Sequence, residues 1–325
     1  MKDGFGREID YLRISVTDKC NLRCKYCMPK QGVELLAHEE LLRLEELARI
    51  VHIMEGLGIS RIRITGGEPL VRKNLVKLVQ DVHQLEGIQE ISMTTNGVLL
   101  SEQLAQFIAA GLTSVNISLD TMNACTFQEI TRVDAFEKVI DAIQKAVKTG
   151  IRVKVNCVPC LEWNEKDLAD VARLACDYPL DVRFIELMPV GCGKEFHGIP
   201  SEVVLTGLEE CFGKAVPSEE KRGNGPANYY DFEGFQGKIG FISPMSHQFC
   251  ESCNRIRLTA DGQLKLCLHY NSGIALKPLL RSGLSDEQIR EKIVEAVRQK
   301  PKAHDFAHTE QLAASDSRKM VQIGG

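Results

Sequence analysis

The chain has 325 residues, 44% hydrophobic and 26% charged, and its 40 Lys and Arg against 44 Asp and Glu leave a net charge of −4. This balance is ordinary for a globular protein and excludes a generally basic nucleic-acid coat, which has to neutralise many phosphates. The length corresponds to about two domains, or to one large α/β barrel with an appendage. No stretch approaches the roughly 18 uncharged apolar residues of a membrane span, and residues 1–12 carry no apolar signal segment. Neither a membrane nor a nucleic acid is expected as partner, and the expected location is cytoplasmic.

Apolar, β-branched runs that end in turn residues predict strands at 12–17, 61–65, 90–95, 114–119, 153–158 and 181–187. Helical patterns fall between them near 43–57, 73–85, 101–110, 134–149, 164–176 and 201–212, several followed by a glycine where a helix C-cap is expected. Serial βα units predict a parallel sheet. Six units are fewer than the eight of a closed barrel, so a partial barrel or an open sheet is expected, with ligands at the C-terminal ends of the strands. Beyond about residue 213 the texture turns Gly- and Pro-rich. A short strand pair near 228–242 follows, then a hairpin at Asp261-Gly262 and a polar helix around 285–299. The tail from Lys300 to Gly325 has few large apolar residues and is expected to be mobile unless something pins it.

Twelve cysteines are the unusual count. Without a secretion signal, reduced thiols point to metal or chemistry rather than to a disulfide framework. Cys20, Cys24 and Cys27 follow the first predicted strand in CNLRCKYCMP. Chance would produce that spacing roughly 0.02 times in a chain of this composition. Two readings fit: a zinc knuckle, although the next Cys or His is His38, or three thiolates holding three irons of a [4Fe–4S] cube with the fourth iron open. Cys250, Cys253 and Cys267 form a second triplet across the predicted hairpin, where His247 or His269 could complete a zinc site instead. Cys157 and Cys160 match a chance CxxC pair and are assigned no metal. Cys125, Cys176, Cys192 and Cys211 are expected as buried small apolar residues.

The cysteine motif after the first strand, with Gly66-Gly67-Glu68-Pro69 after the second, resembles the radical S-adenosylmethionine (SAM) superfamily. The segments LRISVTDKCNLRCKYCMP, RITGGEP, TTNG, VNISLD, VKVN, RFIELM and FCESCNRIRLTADGQLKLCL, with the terminal Gly324-Gly325, resemble one family within it, the GTP 3′,8-cyclases of molybdenum cofactor biosynthesis. The resemblance implies a partial (βα)6 TIM-like barrel over residues 4–227 and a C-terminal α+β domain over 228–325 that carries a second cluster. It implies two [4Fe–4S] clusters, on Cys20, Cys24 and Cys27 and on Cys250, Cys253 and Cys267, the second binding the guanine of GTP. SAM is implied as cofactor, met by Tyr26, Gly67, Ser118 and Met188.

GTP carries up to four negative charges, so its site needs several cations, preferably arginines that fork two hydrogen bonds onto phosphate. Arg61 and Arg63 lie two apart in a predicted strand and share a face, as do Arg255 and Arg257, while Arg13 and Lys154 also lie in predicted strands. The resemblance implies GTP contacts at Arg13, Arg63, Thr94, Lys154, Arg255, Ile256 and Arg257, with Arg255, Arg257, Gly324 and Gly325 serving catalysis. The implied reaction takes H3′ from the ribose with a deoxyadenosyl radical and closes C3′ onto C8 of guanine. The product would pass to a cyclic pyranopterin monophosphate synthase, and an external electron donor and a homodimer are implied as further partners. A peptide-modifying two-cluster radical SAM enzyme and a zinc-stabilised binding module are the competing readings. The first requires more auxiliary cysteines and a peptide groove. The second requires stoichiometric zinc and leaves Gly66 to Pro69 unexplained.

Overall fold

The computed structural model describes residues 1–220, 222–223, 225–306, 316 and 318–324. Strand and helix alternate through β1 (Tyr11–Ser15), α1 (Leu44–Glu55), β2 (Arg61–Thr65), α2 (Leu75–His83), β3 (Glu90–Thr95), α3 (Leu100–Ala109), β4 (Ser114–Ser118), α4 (Ala124–Thr131), α5 (Phe136–Lys148), β5 (Arg152–Cys157), α6 (Leu168–Asp177), β6 (Asp181–Ile185) and α7 (Ser201–Phe212). The remainder comprises β7 (Val216–Pro217), β8 (Asn228–Asp231), β9 (Ile239–Ile242), β10 (Arg255–Leu258), β11 (Gln263–Lys265), β12 (Gly273–Ala275), α8 (Leu276–Arg281), α9 (Asp286–Arg298) and α10 (Met320–Ile323).

All twelve strands join one sheet, in the order β12-β11-β10-β1-β2-β3-β4-β5-β6-β9-β8-β7. Strands β1 to β6 are parallel neighbours, as the βα periodicity predicts. The C-terminal third then extends this sheet at both ends, β9 running parallel to β6 and β10 parallel to β1. Residues 243–254 therefore cross from the C-terminal end of β9 to the N-terminal end of β10, over the open side of the partial barrel. Glu186 fixes the start of that crossing by accepting from Met245 N (2.9 Å) and Ser246 N (3.0 Å).

Alternation decides what each face of the strands meets. Leu12, Ile14, Ile62, Ile64, Met93, Val115, Ile117, Val155, Val182, Ile256 and Leu258 point outward into a core shared with the helices, each fully buried. Every second residue between them is polar, so the concave face of the sheet is lined by charges and hydroxyls. In a closed (βα)8 barrel that space is filled by branched apolar side chains.

Helix α4 and three of the cysteines depart from the expectations, and the tail meets the condition attached to it. Helix α4 lies in a stretch rich in Thr, Asn and Cys that carries no helical pattern; it forms because Asn123 Oδ1 accepts from Thr126 N at 3.0 Å and Phe127 and Ile130 bury beneath it. The end of the tail is pinned: Val321 and Ile323 of α10 are buried, and Ile323 packs with Val190 and Phe306. Cys125 and Cys211 are exposed and Cys176 is half-buried, so of the four cysteines expected in the interior only Cys192 lies there.

Candidate active site

Strand register builds the site. Arg13 pairs with Arg63 on one side and with Arg257 on the other, so three arginines stand in one row across β2, β1 and β10. One step toward the N-terminal ends, Tyr11 stands between Arg61 and Arg255 in a second row. Burial pushes the Arg13 guanidinium well below its usual range, and the neighbouring Arg257, Arg63 and Arg255 push the same way. Arg257 is lowered to about 10 by burial and by Arg255. Like charges in so small a space are costly without a counter-anion, and a polyphosphate is the group that would relieve them.

The rest of the lumen adds to this row. Arg63 donates to Ser92 Oγ at 3.1 Å and lies over the Tyr11 ring at 5.5 Å. Arg255 lies over the Phe249 ring at 5.1 Å, and among the described residues its buried Nε has no hydrogen-bond partner, as is also true of Thr94 Oγ1. Such orphaned groups inside a protein normally await a ligand or water. Lys154 bonds the Arg222 carbonyl and the Tyr229 hydroxyl, and burial and Arg183 lower it to about 7. Arg61 pairs with Asp10, so its charge is already matched. Ile256 lies between Arg255 and Arg257 with its side chain on the other face, in the core, and offers the lumen only its backbone.

The first cysteine triplet occupies the loop beyond the C-terminal end of β1. Burial raises the Cys24 thiol, and Cys27 and Cys20 close by raise it further. Cys20 Sγ accepts from Leu22 N (3.4 Å) and from Asn96 Nδ2 (3.8 Å), the N–H···S pattern that supports a thiolate ligand. Gly66 and Gly67 seat this loop. A Cβ on Gly67 would lie 2.4 Å from Lys19 O and one on Gly66 2.8 Å from Thr17 O, while Glu68 N donates to Lys19 O at 2.8 Å. The glycines thus serve close packing of chain on chain. Glu68 is buried and raised to about 7 by desolvation, although it accepts from Leu70 N (3.0 Å), Thr95 Oγ1 (2.8 Å) and Asn96 N (2.7 Å).

The four residues expected to meet SAM all stand at this end. Tyr26 lies inside the cysteine loop and donates to Asp120 Oδ2 at 2.7 Å, Gly67 follows β2, Ser118 ends β4, and Met188 follows β6. Burial raises Asp120 to about 6.

The second triplet flanks the opposite end of the same strands. Cys250 and Cys253 precede β10 and Cys267 follows β11, beside the start of β1, where Tyr11 N donates to Asn254 O at 3.2 Å. Arg7 holds the Cys250 carbonyl at 2.7 Å. The buried ammonium of Lys300 donates to Arg255 O at 2.9 Å and to Leu266 O. Burial alone would raise Cys253, but Lys300, Arg255 and Arg7 outweigh it and the thiol is lowered. All six cysteines are free thiols. Among the described residues no three His, Cys, Asp or Glu side chains converge as a single metal ion requires. His247 is exposed beside Glu202, and His269 is buried between the Tyr270 and Phe306 rings. Neither histidine completes the tetrahedral zinc site considered from the sequence.

The tail reaches the lumen at Gly324. Gly324, at φ 88°, sits where a Cβ would lie 2.8 Å from Ser15 Cβ and 3.0 Å from Thr65 Oγ1, and Arg257 Nη1 donates to its carbonyl at 3.1 Å. Gly325 lies outside the described residues. Sequence reasoning missed Arg183, a buried lumen residue that donates to Asn156 Oδ1 (2.9 Å) and Asn116, along with Glu68, Asn96, Asp120 and Lys300. For Arg183 the available signal was a polar residue at an alternate position of an otherwise apolar strand, in DVRFI.

Residues 14–175 match the family described as Radical SAM superfamily, and residues 180–306 that described as Molybdenum Cofactor Synthesis C. A protein of Clostridium perfringens strain 13 named GTP 3′,8-cyclase is 46% identical over 327 residues, covering 100% of both chains. Another of that name from Desulforamulus reducens is 47% identical over 329 residues with the same coverage. Among solved structures, SuiB of Streptococcus suis bound to S-adenosylmethionine superposes with a TM-score of 0.62 at 13% identity, covering 90% of this chain and 68% of that one. A second, anSMEcpe with bound AdoMet, gives 0.52 at 17% identity and covers 89% and 84%. At such low identity these two establish the fold, a partial barrel of the radical SAM type. No helix among the described residues is long and apolar enough to cross a membrane. Radical SAM proteins use SAM with an iron–sulfur cluster, and the thiols of Cys20, Cys24 and Cys27 fit that group. With near-half identity over its full length, the chain belongs to the GTP 3′,8-cyclase family of the radical SAM superfamily.

Proposed function

We propose that this chain converts GTP into (8S)-3′,8-cyclo-7,8-dihydroguanosine 5′-triphosphate, the first step of molybdenum cofactor biosynthesis. The relatives of that name support the reading. The observation that carries it is the row Arg63, Arg13, Arg257 in a polar lumen with a cysteine triplet at each end of the strands that bear it. A cluster on Cys20, Cys24 and Cys27 supplies, when bound, the electron that cleaves SAM to methionine and a deoxyadenosyl radical. Cys250, Cys253 and Cys267 would hold a second [4Fe–4S] cluster, and the cations around Cys253 fit its anionic character. The proposal divides the chain into a radical SAM core over residues 4–227 and a domain over 228–325 that builds the guanine end.

The protein's own work is to bind, orient and exclude water. Arg13, Arg63, Arg257 and Lys154 neutralise the triphosphate, and Arg255 and Thr94 offer it unused donors. Ile256 takes part through its backbone alone. Tyr26, Gly67, Ser118 and Met188 shape the SAM end, with Asp120 holding the Tyr26 hydroxyl. Gly324 meets Arg257 where the two ends join. A cytoplasmic homodimer, an external electron donor and transfer of product to a cyclic pyranopterin monophosphate synthase complete the proposal.

The test is iron, sulfide and zinc content after anaerobic purification, in wild type and in a Cys250→Ala/Cys253→Ala/Cys267→Ala variant, followed by incubation with GTP, SAM and a reductant. About eight irons falling to about four, with loss of cyclisation, is the expected result. Four irons and one zinc in the wild type would remove the second cluster and with it the guanine site.

A further inference from the structure

Asp316 is the first described residue after the 307–315 segment, and its carboxylate is 3% exposed. It pairs with the ammonium of Lys265, 2% exposed, which also donates to Tyr270 O at 2.8 Å. Arg318 turns back onto the same carboxylate through Nε (3.1 Å to Oδ1) and Nη2 (2.9 Å to Oδ2), and Nη1 approaches Asp261 at 3.9 Å. Asp316 N donates to His269 O at 2.9 Å. These ties join the tail to β11, to the hairpin turn and to the segment that follows Cys267. Eight residues after Asp316, Gly324 meets Arg257.

A buried ion pair is a poor way to add stability, because an apolar pair of the same volume often does as well or better. What it adds is register, since a charge accepts one partner position where a greasy contact accepts several. Among the described residues, Val190 and Phe306 are the other buried members of the cluster around Ile323, with Met188, Leu268 and Met320 at its rim. Ile323 is the one α10 residue among the buried members of that cluster, whereas the carboxylate of Asp316 ties the chain ahead of α10 to Lys265 at a second point.

We infer that Lys265, Asp316 and Arg318 are positioning residues, a buried ionic latch that sets the register of the C-terminal tail and so delivers Gly324 to Arg257. The inference rests on the proposed role of Gly324 inside the lumen. Because Lys265 and Cys267 share one strand end, the latch also ties delivery of the tail to the order of the second cysteine triplet.

The experiment compares hydrogen–deuterium exchange of residues 318–324 in wild type, Lys265→Met, Asp316→Asn and the apolar pair Lys265→Met/Asp316→Leu, alongside iron content, SAM binding and cyclase activity. Both single variants should exchange the tail on the order of tenfold faster and lose turnover while iron and SAM binding are kept. If a single variant fails to fold, Arg318→Gln removes one arm of the latch at a partly exposed position and should give a smaller increase. The apolar pair separates positioning from stability. The latch predicts recovered thermal stability with a tail that still exchanges fast, whereas a merely structural pair predicts that both recover. Wild-type protection of the tail in Lys265→Met and Asp316→Asn would overturn the latch. Fast tail exchange with undiminished cyclisation would instead support the latch and sink the role of Gly324.

Discussion

Arg257 Nη1 donates to the carbonyl oxygen of Gly324 at 3.1 Å, so one end of the arginine row is already bonded to the tail. The same arginine stands beside Arg13 in strand register. A change at the tail is therefore felt by the cation row itself.

Gly324→Ala should show this directly. The residue sits at φ 88° and an added Cβ would meet Ser15 at 2.8 Å, so the tail end has to retreat. Displacement of about 1 Å near reacting groups can cost about 10²-fold in rate. Turnover should fall by that order while SAM binding, measured by equilibrium dialysis, stays at the wild-type level. Deletion of Gly324 and Gly325 should be at least as severe.

The crowding of like charges predicts opposite effects on stability and on binding at Arg13. Replacement by Met removes a buried cation flanked by Arg63 and Arg257. Loss of the repulsion from Arg257 and Arg63 should raise the midpoint of thermal unfolding of the GTP-free protein. GTP, which stabilises wild type by mass action, should shift the variant much less. A midpoint lower than wild type without GTP would contradict the electrostatic account of the row.

Lys154 gives the pH dependence. Burial first, then Arg183, brings it to about 7, with Arg63 and Arg152 acting the same way and Asp181 opposing them. The Tyr229 hydroxyl and the Arg222 carbonyl also face the amine. A depressed lysine is charged below its pKa and neutral above it, so the cation offered to phosphate is lost as pH rises through about 7. The KM for GTP should climb over the following unit, by up to about tenfold per unit. Lys154→Arg keeps its charge and should flatten the climb; an equally steep rise in that variant would rule Lys154 out as its source.

Gly67→Ala tests the seat of the first cysteine loop. The new methyl would lie 2.4 Å from Lys19 O and 2.7 Å from Asp18 O, both backbone atoms that cannot rotate away. The loop that carries Cys20 must shift. Iron content should fall by about four atoms per chain while the second triplet keeps its complement, as read by iron analysis and by the spectrum of the reduced protein.

Much of this protein can be read along the chain because its signals are local. Strand alternation put Arg61 with Arg63 and Arg255 with Arg257 on shared faces, and the βα periodicity set the order of β1 to β6. The cysteine spacings and Gly66 to Pro69 carried the family resemblance. Ile256 shows the limit of reading by motif: it lies within the matched stretch, yet its side chain belongs to the outer core. Helix α4 escaped notice because a single side-chain cap and three buried residues support it in place of helical propensity.

What the sequence by itself determined was composition, the order of β1 to β6 with the helices between them other than α4, and the spacing of the two cysteine triplets. Tertiary structure decided the row. Arg13 and Arg257 are 244 residues apart, and only the parallel pairing of β10 against β1 makes them neighbours. It likewise decided that Lys300 would reach both edges of the second triplet and that Asp316 would close on Lys265. The physical reason is that register between distant strands, and the burial of a charge against one partner, depend on the packing of the whole sheet, which no local window of residues contains.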